Sequence, residues 1–191
     1  MNFTEIVTQI ISMTKRPDKI LDIRREVNAA VLYYSTLSDF RRDLVEVSLP
    51  IAPAGFELII TIDDLTRFRK VSYLKYGGLK KYVDEVTSLK LTKDCELLDK
   101  WYISGDSINV RLRASASALD FGYYKYPPIL TDAAPTFWML NGNWSAVLQR
   151  AASVIFNDIG DAQSSQKAFA LATDAAMIFN NDYTRSNQHD G

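Results

Sequence analysis

Histidine and cysteine are nearly absent from this chain, which has one of each in 191 residues, His189 and Cys95. A single cysteine excludes an intrachain disulfide and suits a reducing compartment, and Cys95 reads as an inert structural or surface thiol. One histidine near the C-terminus cannot serve a Ser-His-Asp or Cys-His arrangement, which needs its imidazole held by a rigid scaffold. The same scarcity leaves no zinc ligand set. Phosphate-binding glycine loops are missing as well. Gly77–Gly78 ahead of Lys80–Lys81 has the wrong spacing for one and reads as a hairpin turn. Asp63–Asp64 lacks the pattern of a calcium loop and reads as a solvated turn. No apolar run approaches the ~18 residues of a membrane span. The N-terminus has no basic stretch before its apolar residues and no small-residue cleavage site, so the expectation is a soluble protein made in a cytosol. No cofactor or metal is expected.

Charge of either sign is not in surplus: 22 Lys and Arg face 23 Asp and Glu, for a net −1. That excludes wholesale nucleic-acid binding, which works by neutralising phosphates with excess cations. What is plentiful is apolar residues, 47% of the chain, enough for one sizeable core without disulfides. The length suits a single domain, 1–191.

The periodicity predicts an α+β protein. Phe3, Ile6, Val7, Ile10 and Ile11 fall at helical spacing, with Asn2 or Thr4 as cap. Pro17 suits the start of a second helix to about Asp39, whose buried stripe is Ile20, Ile23, Val27, Ala30, Val31 and Tyr34. A turn this short makes the two helices antiparallel neighbours. From about 44 to 135 the period changes. Val45, Val47 and Leu49 alternate as in a strand. Phe56 to Ile62 reads as a more buried strand, Thr66 to Tyr76 as a third, and Leu79 to Val86 fits a helical turn or two. WYISGDSINVRLR, Trp101 to Arg113, is the clearest hairpin, with Gly105 placed for a type II′ turn. Leu119 to Tyr126 is a further strand. Asn141–Gly142–Asn143 offers a cap for a helix from Trp144, ended by Gly160. A last helix runs to Asn180 with Phe169, Ala172, Ala176 and Phe179 on one face. Residues 181–191 are polar and aperiodic, and read as a loose tail. Each helical pair has an apolar stripe to cover, so the two pairs should form one bundle around an inserted antiparallel β-rich lobe.

Two chemistries remain to be weighed. A carboxylate-pair hydrolase needs only two acids at the right separation, and Glu46, Glu57, Asp99 and Asp120 lie in or near strands. Thr66 to Tyr82 interleaves Arg67, Arg69, Lys70, Lys75, Lys80 and Lys81 with Phe68, Tyr73, Tyr76 and Tyr82, a composition that can make a single-strand platform. The plainer reading is a strand with one charged and one aromatic face, diluted by Asp84, Glu85, Asp94, Glu96 and Asp99.

Several strings resemble the head-to-tail adaptor (connector) proteins of tailed bacteriophages. They are Arg16–Pro17–Asp18 leading to SDFRRDLVE (Ser38 to Glu46), YISGDSINVR (Tyr102 to Arg111), GYYKYPP (Gly122 to Pro128), and TFWMLNGNW (Thr136 to Trp144) before an alanine-rich helical pair. The resemblance implies a structural virion protein without enzymatic activity, synthesised in the host cytoplasm and located at the virion neck. It implies a homo-oligomeric ring, commonly of twelve copies, below the portal protein. The ring extends the DNA channel, through which DNA passes without specific binding, and offers a platform to tail nozzle or tail-fibre components. No membrane is involved. On this reading Ala168, Ala172, Ala175 and Ala176 serve close helix packing between subunits, and a tail carrying Tyr183, Arg185 and His189 orders on docking. Another tail-tube or tail-completion protein and, from a different class, a carboxylate-pair peptidoglycan hydrolase are the alternatives.

Overall fold

The computed structural model describes residues 1–51, 57–77, 81–86, 98–112 and 118–188, with side chains as far as Asn180. Helix α1 spans Phe3–Thr14, and its start is fixed by a capping box in which Asn2 and Glu5 satisfy each other's backbone N–H. Lys15, with φ 56°, ends it in the left-handed region. Pro17–Lys19 forms one 3-10 turn that leads into α2, Ile20–Thr36. The buried stripe of α2 is Ile23, Val27, Ala30, Val31 and Tyr34, while Ile20 lies outside it on the surface. α1 and α2 pack on each other and on the C-terminal helix α3, Trp138–Asp158, which in turn packs on α4, Ala162–Gln188. Both chain ends therefore build one bundle. With 127–137 they make one compact unit, Met1–Ser38 and Pro127–Gly191; Asp39–Tyr126 is the other.

α3 is the centre of the helical unit, touching α1, α2 and α4. It begins at Trp138, earlier than the Asn141–Gly142–Asn143 step suggested. Asn143 does break the pattern, with φ −123° and ψ 24°, but as a kink between two helical stretches and not as a cap. Trp144 is partly exposed, whereas Val147, Leu148, Ala151, Ala152, Ile155 and Phe156 are buried. Gly160, φ +81°, closes α3 with a full Schellman pair: Asp161 N–H donates to Phe156 O at 2.9 Å and Gly160 N–H to Asn157 O at 3.0 Å. Asp161 then accepts from Ser164 N–H at 3.0 Å at the start of α4, and the Ser164 side chain first, then this backbone bond, hold its carboxyl below the usual range. α4 continues to Gln188, well past the Asn180 end read from composition.

The stretch before α3 has no regular structure, so its backbone groups need partners elsewhere. Asn28 supplies two: its side chain accepts from Leu130 N–H at 2.7 Å and donates to Leu130 O at 3.1 Å, as a neighbouring strand would. Asp132 accepts from Thr4 at 3.1 Å and pairs with Arg24, and Phe3 N–H donates to Pro135 O at 2.8 Å.

The second unit contains two sheets. Strands β1 (Leu44–Pro50), β7 (Ala118–Lys125) and β3 (Phe68–Tyr76) form one, in the order β1-β7-β3. Strands β2 (Glu57–Thr61), β6 (Ser107–Arg111), β5 (Lys100–Ser104) and β4 (Asp84–Glu85) form the other, in that order. All neighbours are antiparallel except β4 and β5. Ile60, Leu74, Trp101, Ile108, Val110, Leu112, Leu119 and Phe121 share one buried cluster. The β5–β6 hairpin turns at Gly105, φ +57°, while Asp106 keeps a negative φ, as a type II′ turn requires. Two readings change. β2 is an edge strand that alternates, with Ile59 65% exposed, and is not the more buried strand its apolar run suggests. Residues 81–86 are extended and not helical: Tyr82 bridges to Lys75, and Asp84–Glu85 pairs with β5.

Replacing Asn28 by alanine removes both Leu130 bonds and leaves a half-buried backbone carbonyl and N–H without their partner. The expected loss is about 1–3 kcal/mol, read as a lower urea midpoint at unchanged m-value.

Candidate interaction surfaces

α4 has three apolar sectors. Ala168, Ala172, Ala175, Ala176 and Phe179 share one stripe at 100° per residue, and the chain's own helices occupy it. Ala168 and Ala172 are buried, Ala175 and Ala176 half-buried. Tyr34 of α2 donates to Ala172 O at 3.5 Å, Trp138 stacks on Phe179 with ring centroids 6.3 Å apart, and Gly142 faces the same ring. A Cβ at Gly142 would stand 3.3 Å from Phe179. The small residues thus let α4 approach within its own bundle. Large residues flank the stripe in the open: Phe169 and Met177 to one side, both 54% exposed, and Leu171 and Ile178 to the other. Phe169, grouped by sequence on one face with Ala172, Ala176 and Phe179, belongs to this exposed set.

α2 carries a second exposed apolar surface. Leu21 and Leu32 fall together on the side turned away from its buried stripe. Tyr33 is partly covered, with the Arg150 guanidinium 3.6 Å from its ring centre. Burial pushes the neighbouring Tyr34 hydroxyl up, with Arg150 opposing. Of the remaining expected contact residues, Tyr183 and Arg185 lie in α4. His189 lies outside the described residues, as does Cys95.

In the β unit, each of the four acids weighed for hydrolysis holds a partner. Glu57 pairs with Arg111 at 3.3 Å across β2 and β6. Asp99 accepts from the Tyr76 hydroxyl and pairs with Lys81 at 2.7 Å. Asp120 accepts from Ser48 at 2.9 Å and faces Lys75 at 3.8 Å. Glu46 accepts from the Tyr73 hydroxyl. Glu46 stands opposite Gly122 in the register, and the Tyr73 ring lies across that glycine, since a Cβ there would come within 2.4 Å of the ring. Burial first, and then Glu46, push the Tyr73 hydroxyl up to about 12.

The basic–aromatic stretch is largely neutralised by the same logic. Arg69 and Lys70 both bind Asp39, at 2.9 and 2.6 Å, and both sit over the Tyr124 ring. Lys75 and Lys81 face Asp120 and Asp99. Lys80 lies outside the described residues. Such pairing takes cations away from any phosphate track. Among the described residues no group of His, Cys, Asp and Glu is placed to hold a metal, and no helix is long and apolar enough to cross a membrane.

The chain matches no protein-family model and no curated protein.

Tyr73 gives a pH test. An unfolded tyrosine loses its proton near ~10, whereas folded Tyr73 keeps it to about 12. Its stabilising contribution is whole below the lower value and is lost as pH rises through the upper one. Thermal melts from pH 9 upward should fall more steeply for the parent chain than for Tyr73→Phe. Gly122→Ala, which displaces the ring, should cost roughly 1–3 kcal/mol, and less in a Tyr73→Ala background.

Proposed function

We propose that the protein is a head-to-tail adaptor of a tailed phage, a structural part of the virion neck that works by binding and not by chemistry. The observation that carries this reading is the pair of separate apolar surfaces left on one helical unit, Leu21 and Leu32 on α2 and Phe169 and Met177 on α4. A ring repeats one heterologous contact until it closes, so each subunit must offer two different faces. Between residues 162 and 180, α4 has only Lys167 and Asp174 as charges, and depletion of charge marks the core of protein interfaces.

In this reading the copies, about twelve by that resemblance, close into a ring under the portal. DNA passes through the lumen without specific binding, and tail components attach to the β-rich side. No cofactor is used. Weak contacts repeated around a ring give high avidity, so an isolated subunit is monomeric or weakly associated and assembles on the portal.

Native mass spectrometry of the chain with and without portal tests this. Rings should form on the portal, and Phe169→Asp combined with Met177→Asp should abolish them while leaving the circular dichroism unchanged. Exposed substitutions of this kind move stability by only about 0.5 kcal/mol. A parent chain that stays monomeric in the presence of portal overturns the reading.

A further inference from the structure

The two edges of the β1-β7-β3 sheet are built differently. β3 is guarded. Its register against β7 shifts twice, between Phe68 and Lys70 and between Val71 and Tyr73, and such bulges spoil an edge as a template. Its second half is covered by the chain itself: Tyr76 N–H donates to Lys81 O at 3.0 Å, Val83 N–H to Leu74 O at 2.8 Å, and Lys75 bridges to Tyr82. β1 has none of these protections. It keeps unbroken register with β7 from Leu44 to Pro50, and among the described residues no strand pairs with its other side. β2, the matching edge of the second sheet, is shorter, and its Glu57 is paired to Arg111.

The side chains of β1 are unfinished in the same direction. Val45, Val47 and Leu49 point into the apolar cluster, yet each is only half-buried, whereas Tyr123, Phe121 and Leu119 opposite them on β7 are buried. Among the described residues, this row of apolar side chains at the rim has no further row beyond it. Glu46 and Ser48 alternate with them on the outer face, both exposed.

We propose that the open edge of β1 is a strand-addition site for an extended segment of a partner protein. That segment has apolar residues at alternate positions, opposite Val45, Val47 and Leu49, and a lysine or arginine opposite Glu46. Main-chain bonds to β1 hold it, its apolar residues extend the cluster by one row, and its cation meets the carboxylate. That the segment comes from a tail component rests on the adaptor reading; the open edge itself does not.

The test is amide hydrogen exchange on the full chain, with and without an acetylated, amidated Val-Lys-Val-Lys-Val peptide as probe, which sets a lysine opposite Glu46 in either strand direction. The control is the same peptide N-methylated at alternate residues, which keeps the side chains but cannot pair as a strand. The expected result is roughly tenfold slower exchange confined to β1 with the first peptide and none with the second. Equal protection by both peptides, or no protection by either, overturns the proposal. Because the readout needs neither ring nor portal, a chain that assembles on the portal but ignores the peptide refutes strand addition alone. One that binds the peptide but never forms rings refutes the adaptor reading alone.

Discussion

Helix α3 is buried around too much of its circumference to be covered by one neighbour. Met139 and Leu140, then Ala146, Val147 and Leu148, then Ala151, Ala152, Ile155 and Phe156 exclude water from well over one face. An ordinary amphipathic helix has a single stripe to hide. α3 requires α1, α2 and α4 together, and two of these lie more than a hundred residues away in sequence. The chain ends are therefore bound to meet, and everything between Ser38 and Pro127 becomes an excursion that starts and finishes at this bundle. Each Leu or Phe buried contributes roughly 1.5–3 kcal/mol, so the contacts of α3 outweigh any single cap or ion pair in the helical unit.

The same constraint decides what is left for partners. Alanines on α4 allow close approach, and α3 and α2 take that approach for themselves. The residues that remain outside are large: Phe169, Leu171, Met177 and Ile178. An interface built on them buries more area per residue than an alanine face would. The assembly argument thus moves from small residues that permit contact to large ones that reward it.

Much of this was legible in the sequence because helical and strand periods are local. The ends of α1, the Gly160 stop, the β5–β6 turn and the alternation of β1 all follow from a few adjacent residues. The misreadings share a cause: each depended on a neighbour distant in sequence. Leu58–Ile59–Ile60 reads as a more buried strand until β2 is known to be an edge. Residues 79 to 86 have apolar spacing that suits a helix, but β3 and β5 offer hydrogen bonds that hold 81–86 extended. Asn141–Gly142–Asn143 carries cap chemistry, yet α3 runs through it, and Gly142 is where the Phe179 ring comes close. Which face of α4 is already taken is likewise a tertiary fact that periodicity cannot supply.

The outer face of the β1-β7-β3 sheet shows how such neighbours also set chemistry. Glu46 and Asp120 come from different strands and share that face, as a carboxylate pair would. A pair working as acid and base needs carboxyls whose environments push their proton affinities apart. Here Tyr73 donates to one, while Ser48 donates to the other and Lys75 lies 3.8 Å from it. Both acids are thus held by partners on neighbouring strands. The strongest perturbation in the group falls on Tyr73, which becomes a weaker acid and remains a donor. The network binds its acids in place across three strands, and that is a means of stiffening a sheet whose first strand, among the described residues, pairs on one side only.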